Sequence, residues 1–105
     1  MPEIINLRKL MPLYQWDVRV DRSSILGNPF NMSKVDTRDV VCDKYRKYFA
    51  EVMLSDSNHA IAFQKEMNRL LALYKKHGKL RLFCWCAPKR CHAETIKAWI
   101  QIYTS

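Results

Sequence analysis

Glycine is scarce in this chain, with two in 105 residues. That excludes the glycine-rich phosphate loops and the glycine-driven fibrous or low-complexity classes. Long apolar runs are missing too. The longest, around residues 80–87, is interrupted by Arg81 and is far shorter than a bilayer span. The opening Met-Pro-Glu-Ile-Ile-Asn-Leu-Arg-Lys-Leu lacks the charged-then-apolar order of a secretion signal, so a cytoplasmic location is expected. With no such signal, the four cysteines read as reduced thiols rather than as two disulfides. Repeats, linkers and low-complexity tracts are absent, and residues 1–105 read as a single domain with one modest core.

What the chain does have is 49% hydrophobic residues, enough for a packed core, and an excess of positive charge. Lys and Arg number 18 against 10 Asp and Glu, a formal net charge of +8. Such a surplus draws anions and speeds their encounter, while saying little about fold. Anionic partners are therefore expected: a nucleotide, a nucleic acid or an acidic protein.

The apolar spacing gives the element order. Residues 4–7 suit a short strand, and in residues 14–20 Tyr14, Trp16, Val18 and Val20 alternate with polar neighbours, the period of a half-buried strand. After Asp36 or Thr37 as a cap, Val41, Tyr45, Tyr48, Phe49 and Val52 recur at helical spacing and predict a helix over 37–53. Ser55, Asp56, Ser57 and Asn58 break it. A second helix buries Ile61, Phe63, Met67, Leu70, Leu71 and Tyr74 and closes on Gly78 as its left-handed cap. Residues 79–86 are dense in apolar groups and predict a central strand, ended by Pro88. A last helix from Arg90 to Tyr103 packs through Ile96, Trp99, Ile100 and Tyr103. The order β-β-α-α-β-α predicts a small three-layer-like α/β domain, a short mixed or parallel sheet covered by about three helices.

Ligands of open α/β sheets gather beyond the carboxyl ends of the strands, where the next helix begins. Here that junction reads Cys-Trp-Cys-Ala-Pro-Lys-Arg-Cys-His over residues 84–92. The unpaired N–H groups near Cys91, with Lys89 and Arg90, make an anion site, or Lys89 and Arg90 are solvated turn residues. Cys91 in a first helical turn is a candidate nucleophile, or a small apolar residue packed under the turn. Adjacent His92 diverges from it by about 100° on a helix and would be a poor base there. Cys84, Cys86, Cys91 and His92 together are four potential zinc ligands, though the spacing is not that of a zinc knuckle. The favoured expectation is no cofactor, with Cys84 in the core, Trp85 on the opposite face and Cys86 at the top of the strand.

The second feature is the loop at residues 22–30, where Arg22, Ser23 and Asn28 offer polar groups and Gly27 permits close backbone approach. If it stands at the same sheet edge, Arg22, Asn28, Arg38, Cys86, Lys89 and Arg90 converge on one ligand. Otherwise it is an ordered surface turn, with Arg38 facing water.

Leu-Gly-Asn-Pro-Phe at 26–30, paired with the 84–92 motif, resembles the domain of unknown function 4326 family. Asp36-Thr37-Arg38-Asp39-Val40-Val41 and Tyr45-Arg46 resemble that family's first helix, and Gly78-Lys79-Leu80 and residues 92–96 also match. The resemblance spans residues 16–100, with extra residues around 54–62. It implies a small stand-alone phage or prophage protein whose site is built from the two motifs. It brings no established reaction, so no catalytic role is carried over. The late motif is also similar to the Cys…Cys-His turn of another α/β family that is loosely linked to nucleotide chemistry.

Three functions are expected from these residues. The first is binding of a phosphate-bearing small molecule, with catalysis through Cys91 and His92 left open. The second is a non-enzymatic interaction with an acidic host protein, through an apolar patch such as Trp99, Tyr103 or Phe63. The third is nucleic-acid binding, against which the basic residues are dispersed. No membrane partner is expected, and a homodimer is a fair expectation for so small a domain.

Overall fold

The computed structural model describes residues 1–104. Its elements are β1 (Glu3–Asn6), β2 (Asp17–Arg19), α1 (Arg38–Val52), α2 (Asn58–His77), β3 (Arg81–Cys84) and α3 (Ala93–Thr104). The order is the expected one, and the sheet is parallel throughout, with β3 between β1 and β2. Register pairs Glu3 and Asp17 with Arg81 at one end, and Asn6 with Cys84 at the other.

A central parallel strand is covered on both faces, and β3 obeys: Leu82, Phe83 and Cys84 are all buried. Leu82 and Cys84 belong to the main core, with Val18 and Val20 from the β2 segment, Tyr45 and Phe49 from α1, Phe63, Met67 and Leu70 from α2, and Ile96 and Ile100 from α3. Each fully buried Leu, Ile or Phe contributes about 1.5–3 kcal/mol relative to exposure. That is the principal force holding the helices to so short a sheet.

The helix ends follow from local chemistry. Ser57 caps α2 by accepting from the Ala60 N–H, and Gly78 closes it at φ 68°, donating to the Tyr74 carbonyl. Ile61, expected inside, is 41% exposed. The strands are shorter than alternation suggests. Residues 14–16 precede β2, and Tyr14 lies outside, 54% exposed and stacked on Trp16. β3 stops at Cys84, and α3 starts at Ala93 rather than Arg90. Residues 85–92 are therefore a turn, which alters every inference that treated them as strand or helix. No helix is long and apolar enough to cross a membrane among the described residues.

Candidate functional site

Beyond the carboxyl ends of β2 and β3 lies a cavity of about 310 Å³. Its walls come from both sequence motifs and from the start of α1. Arg22, Asn28 and Phe30 line it from the 22–30 loop, Arg38 and Cys42 from α1, and Cys84, Trp85, Cys86, Arg90, Cys91 and His92 from the 84–92 turn. The two motifs thus stand at one sheet edge, as their places after β2 and β3 require.

The loop reaches the site because it folds back on the end of β2. Ser24 N–H donates to the Asp21 carbonyl and Gly27 N–H to the Ser24 carbonyl, two turns in succession. A Cβ on Gly27 would lie 2.5 Å from the Asp21 carbonyl oxygen and 2.7 Å from Arg22 Cα, so only glycine fits against this backbone. Asn28 then fixes the exit. Its Oδ1 accepts from Phe30 N–H at 2.9 Å and its Nδ2 donates to the Val41 carbonyl at 3.3 Å, tying the loop to α1. Tyr45, fully buried, donates its hydroxyl to the Leu26 carbonyl and sets its ring against His92. Asn28 lines the cavity, but its amide is committed to structure.

The turn is held from both sides. Asn6 at the end of β1 donates from Nδ2 to the Ala87 carbonyl at 2.6 Å, ahead of the cis Ala87-Pro88 peptide. Arg90 donates to the Asp39 carboxylate at 3.1 Å and to Asp43 at 2.7 Å, while Arg38 donates to the Arg90 carbonyl at 3.3 Å. Hydrogen bonds donated to Asp43, then Asp39, raise the Arg90 pKa above its ordinary value. Arg90 is therefore a clamp between turn and α1, with its guanidinium already engaged. Arg22, with one bond to the Phe30 carbonyl, and Arg38 keep more donors for an incoming anion.

Three expected ligand contacts are placed differently. Ser23 does not line the cavity; its hydroxyl donates to Asp21 at 2.6 Å. Lys89 lines a separate groove with Pro88, Glu94, Lys97 and Gln101. The start of α3 is capped by the chain itself: Glu94 reaches back, and its carboxylate accepts from Cys91 N–H at 2.9 Å. An anion at that N–H would have to displace a carboxylate.

Among the lining residues not singled out as site residues, Trp85 and Asp21 carry polar groups. Trp85, expected on the far strand face, is half exposed and donates its indole N–H to Asp21 at 2.9 Å, because the strand has already ended. Asp21 is buried. Burial alone would push its carboxyl up, but hydrogen bonds from Arg19, Ser23 and Trp85 outweigh it and hold the pKa at about 2. A buried-strand pattern running into an Asp was the available signal.

The thiols also rearrange. Because residues 91 and 92 precede the helix, the 100° divergence does not apply, and Cys91 Sγ lies 3.4 Å from His92 Nδ1. His92 Nε2 faces the Val20 carbonyl, which only accepts, so Nε2 carries the proton and Nδ1 is the acceptor toward the thiol. Burial pushes the His92 pKa down, opposed by that carbonyl. The Cys91 thiol is pushed up by its interaction with Cys84 and by burial, so the lowering expected for Cys91 at a helix start is not found. Among the described residues, no group of three His, Cys, Asp or Glu side chains is disposed to hold a metal ion.

No curated protein and no solved structure matches the chain. The family model of the domain of unknown function DUF4326 matches residues 5–102, which includes the loop, the turn and all three helices apart from the last residues of α3. The chain belongs to that family.

Proposed function

We propose that this protein binds a small phosphate-bearing ligand of the nucleotide type in the cavity beyond the strand ends. The observation that carries the reading is the joint presence of Arg22 and Arg38 with the aromatic rings of Phe30 and Trp85 around one 310 Å³ space. Guanidinium groups match phosphate oxygens in a bidentate way, and aromatic faces suit a planar base. The volume lies at the lower end for ligand pockets, which suits one small molecule rather than a polymer. The net charge of +8 favours anion encounter.

Titration calorimetry with a panel of mononucleotides tests this. Binding is expected, and Arg38→Ala and Arg22→Ala are each expected to weaken it about tenfold or more, the loss of one charge-assisted hydrogen bond. The double variant should bind none measurably. Absence of heat with every nucleotide, or affinity unchanged in both single variants, would sink the reading.

Interaction with an acidic protein is the second reading. The exposed side chains of Met11, Leu13 and Tyr14 favour it, standing where Phe63, now fully buried, cannot.

A further inference from the structure

We propose that the helix-free face of the sheet seats a second copy of this chain, related by a two-fold axis that sets the strands of the two copies antiparallel. All-parallel sheets occur almost only with both faces covered by helices. Here the buried side chains of α1, α2 and α3 all pack with Leu82, Cys84, Val18 and Ile4, which share one face. Side chains alternate along a strand, so Glu3, Ile5, Asp17, Arg81 and Phe83 point the other way. Phe83 is fully buried there, yet it lies outside the core that the helices build.

Over that face runs the connection from β1 to β2, residues 7–16, and it is fastened at both ends. The Lys9 and Leu10 N–H groups donate to the Asn6 carbonyl at 3.0 and 3.2 Å. The Leu13 and Tyr14 N–H groups donate to the Asp17 carboxylate at 2.8 and 2.9 Å. The Arg81 guanidinium lies 5.4 Å from the Tyr14 ring and 5.4 Å from the Phe83 ring, which places Tyr14 over this face. So anchored, the connection turns Leu10, Met11, Leu13 and Tyr14 outward, at 38, 60, 72 and 54% exposure. They form an apolar stripe from the carboxyl end of β1 to the start of β2. Large apolar side chains grouped on ordered, exposed backbone mark an interaction surface.

Charge selects the occupant. The strand charges of this face are neutralised within the chain, Arg81 by Asp17 and Arg19 by Asp21. Glu3 at the starting end and Arg8 and Lys9 at the carboxyl end make no salt bridge among the described residues. Lys79, also at the starting end, is engaged over the Trp16 ring at 5.3 Å. An antiparallel second copy brings Glu3 to Arg8 and Lys9 of the partner subunit, and does so twice; a parallel one would set like charges together. Leu10 and Met11 of the partner subunit then reach the open groove lined by Met1, Glu3, Tyr14 and Trp16. A two-fold contact uses the same patch on both copies, so one stripe suffices. The positive charge elsewhere on the chain is screened within about 8 Å at physiological salt.

Sedimentation equilibrium of the whole chain at micromolar concentration, in low and in high salt, tests this. Twice the mass of one chain is expected in both, since apolar burial holds the contact. Leu13→Asp and Met11→Asp should each raise the dimer dissociation constant about thirtyfold or more. Glu3→Lys should raise it about fivefold. Leu54→Asp, at a side chain 90% exposed beyond the end of α1, should leave it unchanged. All four side chains are exposed, so the variants should keep the wild-type thermal melt, and the wild-type mass decides even without them. A wild-type monomer would overturn the proposal and return this face to the acidic protein of the second reading. So would a dimer lost in high salt, one left intact by Leu13→Asp and Met11→Asp, or one weakened equally by Leu54→Asp. A Glu3→Lys dimer as tight as the wild type would overturn the antiparallel seating. The readout needs no nucleotide, so its failure is separate from failure of the binding reading.

Discussion

The two ends of the parallel sheet carry similar residues and use them in opposite ways. At the starting end, Asp17 and Arg81 form a two-pronged ion pair at 2.6 and 2.7 Å, with the Asp17 side chain fully buried. Asp17 also accepts from the N–H groups of Leu13 and Tyr14. Arg81 stacks over the Tyr14 ring, Tyr14 on Trp16, and Lys79 over Trp16, so cations and rings satisfy one another. At the carboxyl end, Asp21 is bound as tightly as Asp17, but Arg22, Arg38, Phe30 and Trp85 surround open space. The same residue types therefore pair with one another along an open groove at one end, and at the other line a cavity with donors to spare. Parallel strands put all their starts on one side, and only the other side receives the loops that follow β2 and β3.

The largest test of this contrast is Asp17→Asn. Burial would raise the Asp17 pKa, but the bonds from Arg81, Leu13 and Tyr14 bring it to about 2, below its ordinary 3.8. A lowered carboxyl stabilises the fold fully above the unfolded value, and that contribution is lost as pH falls through the folded one. Asp17→Asn should cost about 3 kcal/mol at neutral pH, because it leaves Arg81 without its partner. It should also flatten the loss of stability between pH 4 and 2, seen in urea melts at each pH. Ligand affinity at the far end should not change. An equal loss of affinity would mean that the two ends are coupled.

Gly27→Ala comes next. Its Cβ has backbone, not a movable side chain, in the way, so the loop must shift at a cost of about 2 kcal/mol. Unlike Asp17→Asn, it should weaken nucleotide binding, because Asn28 and Phe30 move with the loop; denaturation and calorimetry on one variant measure both effects.

The smallest effect belongs to His92. Its lowered pKa means the unfolded chain takes up a proton first, so stability should fall as pH drops below ~6.5 toward the folded value. His92→Gln should remove that shallow limb and leave the steeper one from Asp17 in place. A wild-type stability flat from pH 7 to 5 would contradict the buried neutral imidazole.

Periodicity located every element, because burial repeats every 3.6 residues on helices and every two on strands, as Tyr45, Phe49, Phe63, Met67 and Leu82 illustrate. Gly78 as a cap was legible for the same local reason. The ends of elements were less so: Trp16 alternates correctly yet precedes β2, since ladder partners rather than alternation decide where a strand begins. At the site, the convergence of the two motifs followed from their positions after strands, and Arg22, Arg38, Cys86 and His92 do line one cavity.

The division of labour among those residues was not local. That Arg90 binds Asp39 and Asp43, that Lys89 faces another groove, and that Glu94 caps α3 are outcomes of contacts between segments far apart or of exact backbone direction. By itself the sequence determined a small α/β domain with two motifs at one sheet edge, because element type and strand-end position depend on local spacing. Only the tertiary structure decided which arginines remain available and that the Cys91 thiol meets His92, because hydrogen-bond partners are chosen by three-dimensional proximity after the backbone has closed.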